Sequence, residues 1–73
     1  MTDRRLTARQ LVRELRAHGC RLVRQVGSHQ RWETASGHCK TVVPVHRGET
    51  LGIGLMNRIE RDLEHCLGEG WLS

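Results

Sequence analysis

The sequence contains no phenylalanine and no tyrosine, so Trp32 and Trp71 are its only large aromatic side chains and aliphatic residues must supply most of any core. Proline occurs once, at Pro44, and lysine once, at Lys40; the rest of the 12 Lys and Arg residues are arginine. No apolar run approaches the roughly 18 residues that a membrane-spanning helix needs. Cysteine is sparse and odd in number, at Cys20, Cys39 and Cys66, with no C-x-x-C spacing, and the opening residues do not read as a secretory leader. A secreted disulfide framework is therefore not expected, and the cytosol is the default compartment. Cys39 follows His38 and Cys66 follows His65, but adjacent ligands do not have zinc-finger spacing, so no metal site and no cofactor is expected. Repeats, low-complexity stretches and linkers are also missing. The 73 residues read as one domain, residues 1–73, with a thin core. A domain of this size buries only about 60% of the surface its unfolded chain exposes, which makes self-association or a bound partner a source of added stability.

What the sequence does have is positive charge in an uneven distribution. Residues 1–48 carry ten basic and three acidic side chains, and residues 49–73 carry two basic and five acidic, for a total of +4. The bias toward arginine points to nucleic acid, because a planar guanidinium contacts phosphate in a bidentate way and stacks on bases, whereas an ammonium is a hydrated point charge. Charge alone does not separate this from a solvated basic surface.

Thr7 precedes Ala8, Leu11, Val12 and Leu15 at helical spacing, with Arg9, Arg13, Glu14 and Arg16 on the other side and Gly19 closing the run. This predicts an amphipathic helix capped by the Thr7 hydroxyl and ended by a left-handed glycine. From Cys20 to Val26 the composition turns β-branched and is stopped by Gly27, predicting a strand. Residues 29–34 alternate, placing His29, Arg31 and Glu33 on one face and Gln30, Trp32 and Thr34 on the other. Ala35-Ser36-Gly37-His38 reads as a hairpin turn leading into a third strand over 39–45, in which Pro44 belongs at an edge or a strand end. After a polar loop, Ile53, Met56, Ile59, Leu63 and Leu67 predict a last helix, with Asn57, Arg58, Glu60, Arg61, Asp62 and Glu64 around its outside. Trp71 and Leu72 are expected to fold back onto the core.

The predicted fold is α+β, in the order α-β-β-β-α. A three-stranded antiparallel sheet carries two helices on one face and leaves the other open. Trp32 would then face the helices, and His29 and Arg31 the solvent. Double-stranded-RNA-binding domains share this order, as do other small folds.

The most informative stretch is Gly27-Ser28-His29-Gln30-Arg31-Trp32. Around it stand Gly19 at the end of the first helix, Arg24 ahead of the triplet, Gly37 in the turn, Val43-Pro44-Val45-His46 at the end of the third strand and Gly54-Leu55 at the entry to the last helix. In this combination, over about residues 7 to 67, the chain resembles the HicA family of toxins from bacterial toxin–antitoxin pairs. The resemblance implies a double-stranded-RNA-binding-domain-like fold, endonucleolytic cleavage of mRNA without a metal, and a HicB-type antitoxin that binds and neutralises the toxin. It also implies that His29, the histidine of the triplet, is catalytic. The chain departs from the family in the loop after His46, where many members are lysine-rich and this one reads Arg47-Gly48-Glu49-Thr50-Leu51-Gly52, and in its near lack of lysine elsewhere.

The chemistry of these residue types agrees. Imidazole ordinarily titrates near about 6.5, so a histidine can take a proton from a 2′-hydroxyl or give one to a departing 5′-oxygen at neutral pH. Arg24 and Arg31 are placed to hold the scissile phosphate, and Ser28 and the backbone N–H groups around Gly27 to add hydrogen bonds. His46 becomes a second acid, base or RNA contact if its strand end approaches His29. The bland alternatives are an exposed strand histidine at 29 and a loop histidine at 46. His18, His38 and His65 need no functional role, and both tryptophans are expected in the core. Two other functions compete with RNA cleavage. One is a non-catalytic RNA-binding module of the same fold, which normally carries a lysine cluster at the last helix, where this chain has only Arg58 and Arg61 between 54 and 61. The other is a partner protein that binds acidic surfaces through its arginine-rich first helix.

Overall fold

The computed structural model describes residues 5–72; residues 1–4 and 73, which the single-domain reading includes, lie outside the described part. The elements are α1 (Ala8–Ala17), β1 (Arg21–Val26), β2 (His29–Glu33), β3 (Lys40–Pro44) and α2 (Ile53–Leu67). Their bounds fall within one residue of the expected strands, and the order is the expected α-β-β-β-α.

Local chemistry sets each boundary. Thr7 begins α1 with a reciprocal cap: its hydroxyl accepts from the Gln10 N–H at 3.1 Å, and the Gln10 side chain accepts from the Thr7 N–H at 2.9 Å. Replacing such a cap by alanine typically costs about 1 kcal/mol. Gly19, at φ 80°, turns the chain out of the helix into β1 in a conformation that a side chain would strain. The strands form one antiparallel sheet in the order β1-β2-β3, and Pro44 closes β3 on its free edge. That is where a residue without an N–H does least harm.

Both helices lie on one face of the sheet. Leu11 and Leu15 of α1, Met56, Ile59 and Leu63 of α2, and Trp32 and Val43 of the sheet are all fully buried in one cluster. Leu6 and Leu51 join it where the chain ahead of α1 pairs with the chain ahead of α2, through a Leu51 N–H to Leu6 carbonyl bond of 2.7 Å and a bridge between Thr7 and Thr50. The C-terminal tail folds back as expected. The Trp71 indole N–H donates to the Glu60 carbonyl at 2.8 Å and packs edge-on against His18.

Three expectations are corrected. Glu60, expected on the outside of α2, is buried at 3% exposure because the tail covers it, and its carboxylate accepts the Leu72 N–H. Ile53, expected on the apolar face, is 45% exposed at the start of the helix. The scattered, odd-numbered cysteines predict no disulfide framework, yet one bond forms: Cys39 is joined to Cys66, with Cα atoms 6.2 Å apart. Their 27-residue separation hides the fact that the start of β3 packs beside the last turn of α2. Cys20, left over, is buried in the core as a small apolar group, and burial pushes its thiol above the ordinary range.

Candidate functional site

The open face of the sheet is a lattice of three rows, each running across the strands. In the row nearest the β1–β2 turn, His29 stands between Val26 and Pro44. In the middle row, Arg31 stands between Arg24 and Val42, and in the far row Glu33 stands between Arg21 and Lys40. Neighbouring strands lie about 4.8 Å apart, so each row spans roughly 10 Å.

Strict alternation would put Leu22 and Arg24 on the same face, yet Leu22 pairs with Trp32 on the helix side and Arg24 with Arg31 on the open side. A bulge between them, with Val23 as the extra residue, makes both possible. It thereby puts two guanidinium groups side by side, next to the imidazole.

The turn that presents His29 is Gly27-Ser28. Gly27 has φ 58° and Ser28 does not share the positive sign, which is the pattern of a two-residue hairpin with glycine at the first central position. On the helix side of the sheet a chain of side-chain hydrogen bonds anchors this turn. The fully buried Trp32 indole donates to Gln30 at 3.1 Å, the Gln30 amide donates to Gln25 at 3.2 Å, and the Gln25 amide donates to the Gly27 carbonyl at 3.0 Å. The Val45 N–H, donating to the Ser28 carbonyl at 2.6 Å, holds the other side of the turn.

Arg24, Val26, His29, Arg31 and Val42 line an open cleft of about 410 Å³. The imidazole of His29 is exposed, as the alternation requires, and among the described residues no hydrogen bond or ion pair engages the side chains of Arg24, His29 or Arg31. The one carboxylate that the strands carry on this face, Glu33, is taken by Arg21 at 2.8 Å. The cleft thus holds one group able to move a proton between two uncommitted cations and apolar walls, a suitable seat for an anion.

Of the residues expected at the site, the structure brings Arg24, His29 and Arg31 together in the cleft and puts Gly27 and Ser28 in the turn beside it. His46 is elsewhere: it lines a cleft between the start of α1 and the loop after β3, with Thr7, Arg9, Val12, Gln30 and Arg47 among its neighbours. Sequence reasoning missed the apolar wall of Val26 and Val42, the glutamine chain behind the turn, and Arg58, whose guanidinium donates to the Val42 carbonyl at 2.8 Å. The paired glutamines Gln25 and Gln30, flanking a Gly-Ser turn, were the available signal for the anchor. Among the described residues, no group of three His, Cys, Asp or Glu side chains is arranged to hold a metal ion, and no helix is long and apolar enough to cross a membrane.

Comparison with known proteins adds the family. The model of the HicA toxin of bacterial toxin–antitoxin systems matches residues 8–65, from the start of α1 to the last turn of α2. Neither the curated proteins nor the solved structures gave a match. The match takes in every element of the fold and the whole of the His29 cleft, and the chain belongs to the HicA toxin family.

Proposed function

We propose that this toxin cuts mRNA within the chain, with His29 as the general acid or base and the RNA's own 2′-hydroxyl as the nucleophile. The observation that carries the reading is the exposed His29 imidazole in one cleft with the uncommitted guanidinium groups of Arg24 and Arg31. In the reaction, His29 takes the proton of the 2′-hydroxyl as the 2′-oxygen bonds to phosphorus. The bond from phosphorus to the 5′-oxygen breaks and that oxygen takes the proton from the His29 imidazolium, which returns His29 to its starting form. The products are a 2′,3′-cyclic phosphate and a 5′-hydroxyl. Arg24 and Arg31 bind the non-bridging oxygens and offset the charge that builds on them, and Gly27 and Ser28 offer hydrogen bonds at the edge of the cleft. General acid–base catalysis of this kind contributes typically about 10²–10⁴-fold.

As a toxin of a toxin–antitoxin pair, the chain has an antitoxin partner. On this reading the partner is of the HicB type and neutralises the toxin by covering the basic open face of the sheet, where complementary charge would speed association. On this reading the toxin works in the cytoplasm, where it meets mRNA. Incubation with RNA and with DNA of the same sequence, both in EDTA, tests the reading. Cleavage of RNA alone supports it, and binding without cleavage across varied RNAs would leave a non-catalytic RNA-binding module instead.

A further inference from the structure

The geometry points to a second phosphate site on the same face, formed by Arg31, Lys40 and Arg58, that holds the RNA backbone one phosphate away from the bond being cut. The inference rests on the ribonuclease reading for its ligand. Arg31 is shared with the cleavage site; Lys40 and Arg58 take no part in the chemistry.

A second hollow adjoins the His29 cleft and shares Arg31 and Val42 with it; its other walls are Lys40, Thr41, Arg58 and Asp62. The two are therefore one continuous track, with Arg31 at the divide. The middle row of the lattice runs Arg24, Arg31, Val42, and the Arg58 guanidinium grips the Val42 carbonyl at 2.8 Å. Arg58 thus continues the cationic row beyond the free edge of β3, and the whole row, at two strand spacings or roughly 10 Å plus one side chain, is longer than one phosphate requires.

The local charges favour an anion. Three cations face a single carboxylate, Asp62, and that carboxylate is occupied: it accepts the Thr41 hydroxyl at 2.9 Å and lies 3.6 Å from Arg58. Glu33, which the register puts opposite Lys40, is held by Arg21 instead. Among the described residues no hydrogen bond or ion pair engages Lys40, the chain's only lysine. Arg58 also protects a strand edge, a structural duty that by itself would explain its position. Lys40, on the same edge strand, also discourages strand pairing, but among the described residues no carboxylate or carbonyl holds its ammonium group, so its charge stays available to a ligand.

The test measures binding in a His29→Ala background, so that RNA stays intact, with a dinucleoside monophosphate carrying one phosphate and a pentanucleotide carrying several. Lys40→Gln and Arg58→Gln are each expected to weaken pentanucleotide binding about 3- to 10-fold and to reduce the salt slope by about 0.7, the value for one phosphate on a single strand, while dinucleotide binding stays as it was. Arg61→Gln, which lines a separate hollow with Asn57, Glu60 and Glu64, serves as the charge control and should do neither. Because Lys40 is exposed and touches no partner, its variant keeps the test valid even if Arg58→Gln disturbs the β3 edge. Pentanucleotide binding by Lys40→Gln equal to that of its parent would overturn the second site. Failure of the ribonuclease reading shows separately, as intact RNA after incubation with the unmodified protein.

Discussion

Arg24 lies directly opposite Arg31 across the β1–β2 ladder, so that two cations share one cross-strand pair next to His29. Like charges in that position are destabilising, and no carboxylate on this face is free to relieve them, since Glu33 is bound to Arg21. The pair is a local cost that folding alone does not explain and that a bound phosphate would remove.

Arg24→Thr should therefore separate stability from function. Threonine is well suited to a strand, and removal of the repulsion is expected to raise the unfolding free energy by about 0.2–1 kcal/mol at low salt, with the part due to charge shrinking as salt screens it. RNA affinity should fall in the same variant. Urea unfolding at two ionic strengths and an RNA titration check this, and a loss of stability at low salt would show that Arg24 is a structural strand residue.

Gln30→Ala tests the anchor behind the turn. It leaves the buried Trp32 N–H without its acceptor and the Gln25 Oε1 without its donor, for an expected loss of about 1–3 kcal/mol. Chemical denaturation measures it. A change below about 0.5 kcal/mol, the range of ordinary surface substitutions, would mean that the glutamine chain carries no strain of the turn.

The Cys39–Cys66 bond closes a loop of 27 residues, which in the chain-entropy account stabilises the fold by about 3–4 kcal/mol. Oxidised protein should show one reactive thiol when unfolded, that of Cys20, and three after reduction; reduction should lower the urea midpoint accordingly. Three thiols without reduction would remove the bond from the account.

Burial raises the Cys20 thiol above its ordinary value of 9.0. The neutral thiol is the form favoured in the folded state, so its contribution to stability is complete below the unfolded value and is lost as pH rises through the raised folded one. Unfolding curves at pH 7.5 and above pH 9 should converge for Cys20→Ala and its parent at the higher pH if the parent starts more stable. A constant difference would contradict the burial.

Much of this was legible in the sequence because it is local. The Thr7-x-x-Gln10 cap, the change from helical to alternating spacing after Gly19, and the Gly27-Ser28-His29 turn each carry their signal within a few residues, and the exposure of His29 follows from Trp32 facing the core. What was hidden depends on contacts between distant segments. Nothing within β1 marks Val23 as the extra residue that lets Leu22 face the helices and Arg24 the open side. Glu60 looks like an ordinary polar helix residue until the tail from Trp71 covers it. Arg58 was visible as a cation, but its grip on Val42, 16 residues away, appears only once α2 lies along the free edge of β3.

The central claim is that His29 moves the proton in an attack by the RNA on its own backbone. The most direct measurement compares the unmodified protein with His29→Ala on one RNA in EDTA and identifies the product ends by mass spectrometry. The account predicts a 2′,3′-cyclic phosphate and a 5′-hydroxyl, with the rate falling about 10²–10⁴-fold in the variant while its unfolding curve stays unchanged. Cleavage at an undiminished rate by His29→Ala, or products ending in a 3′-hydroxyl, would contradict it.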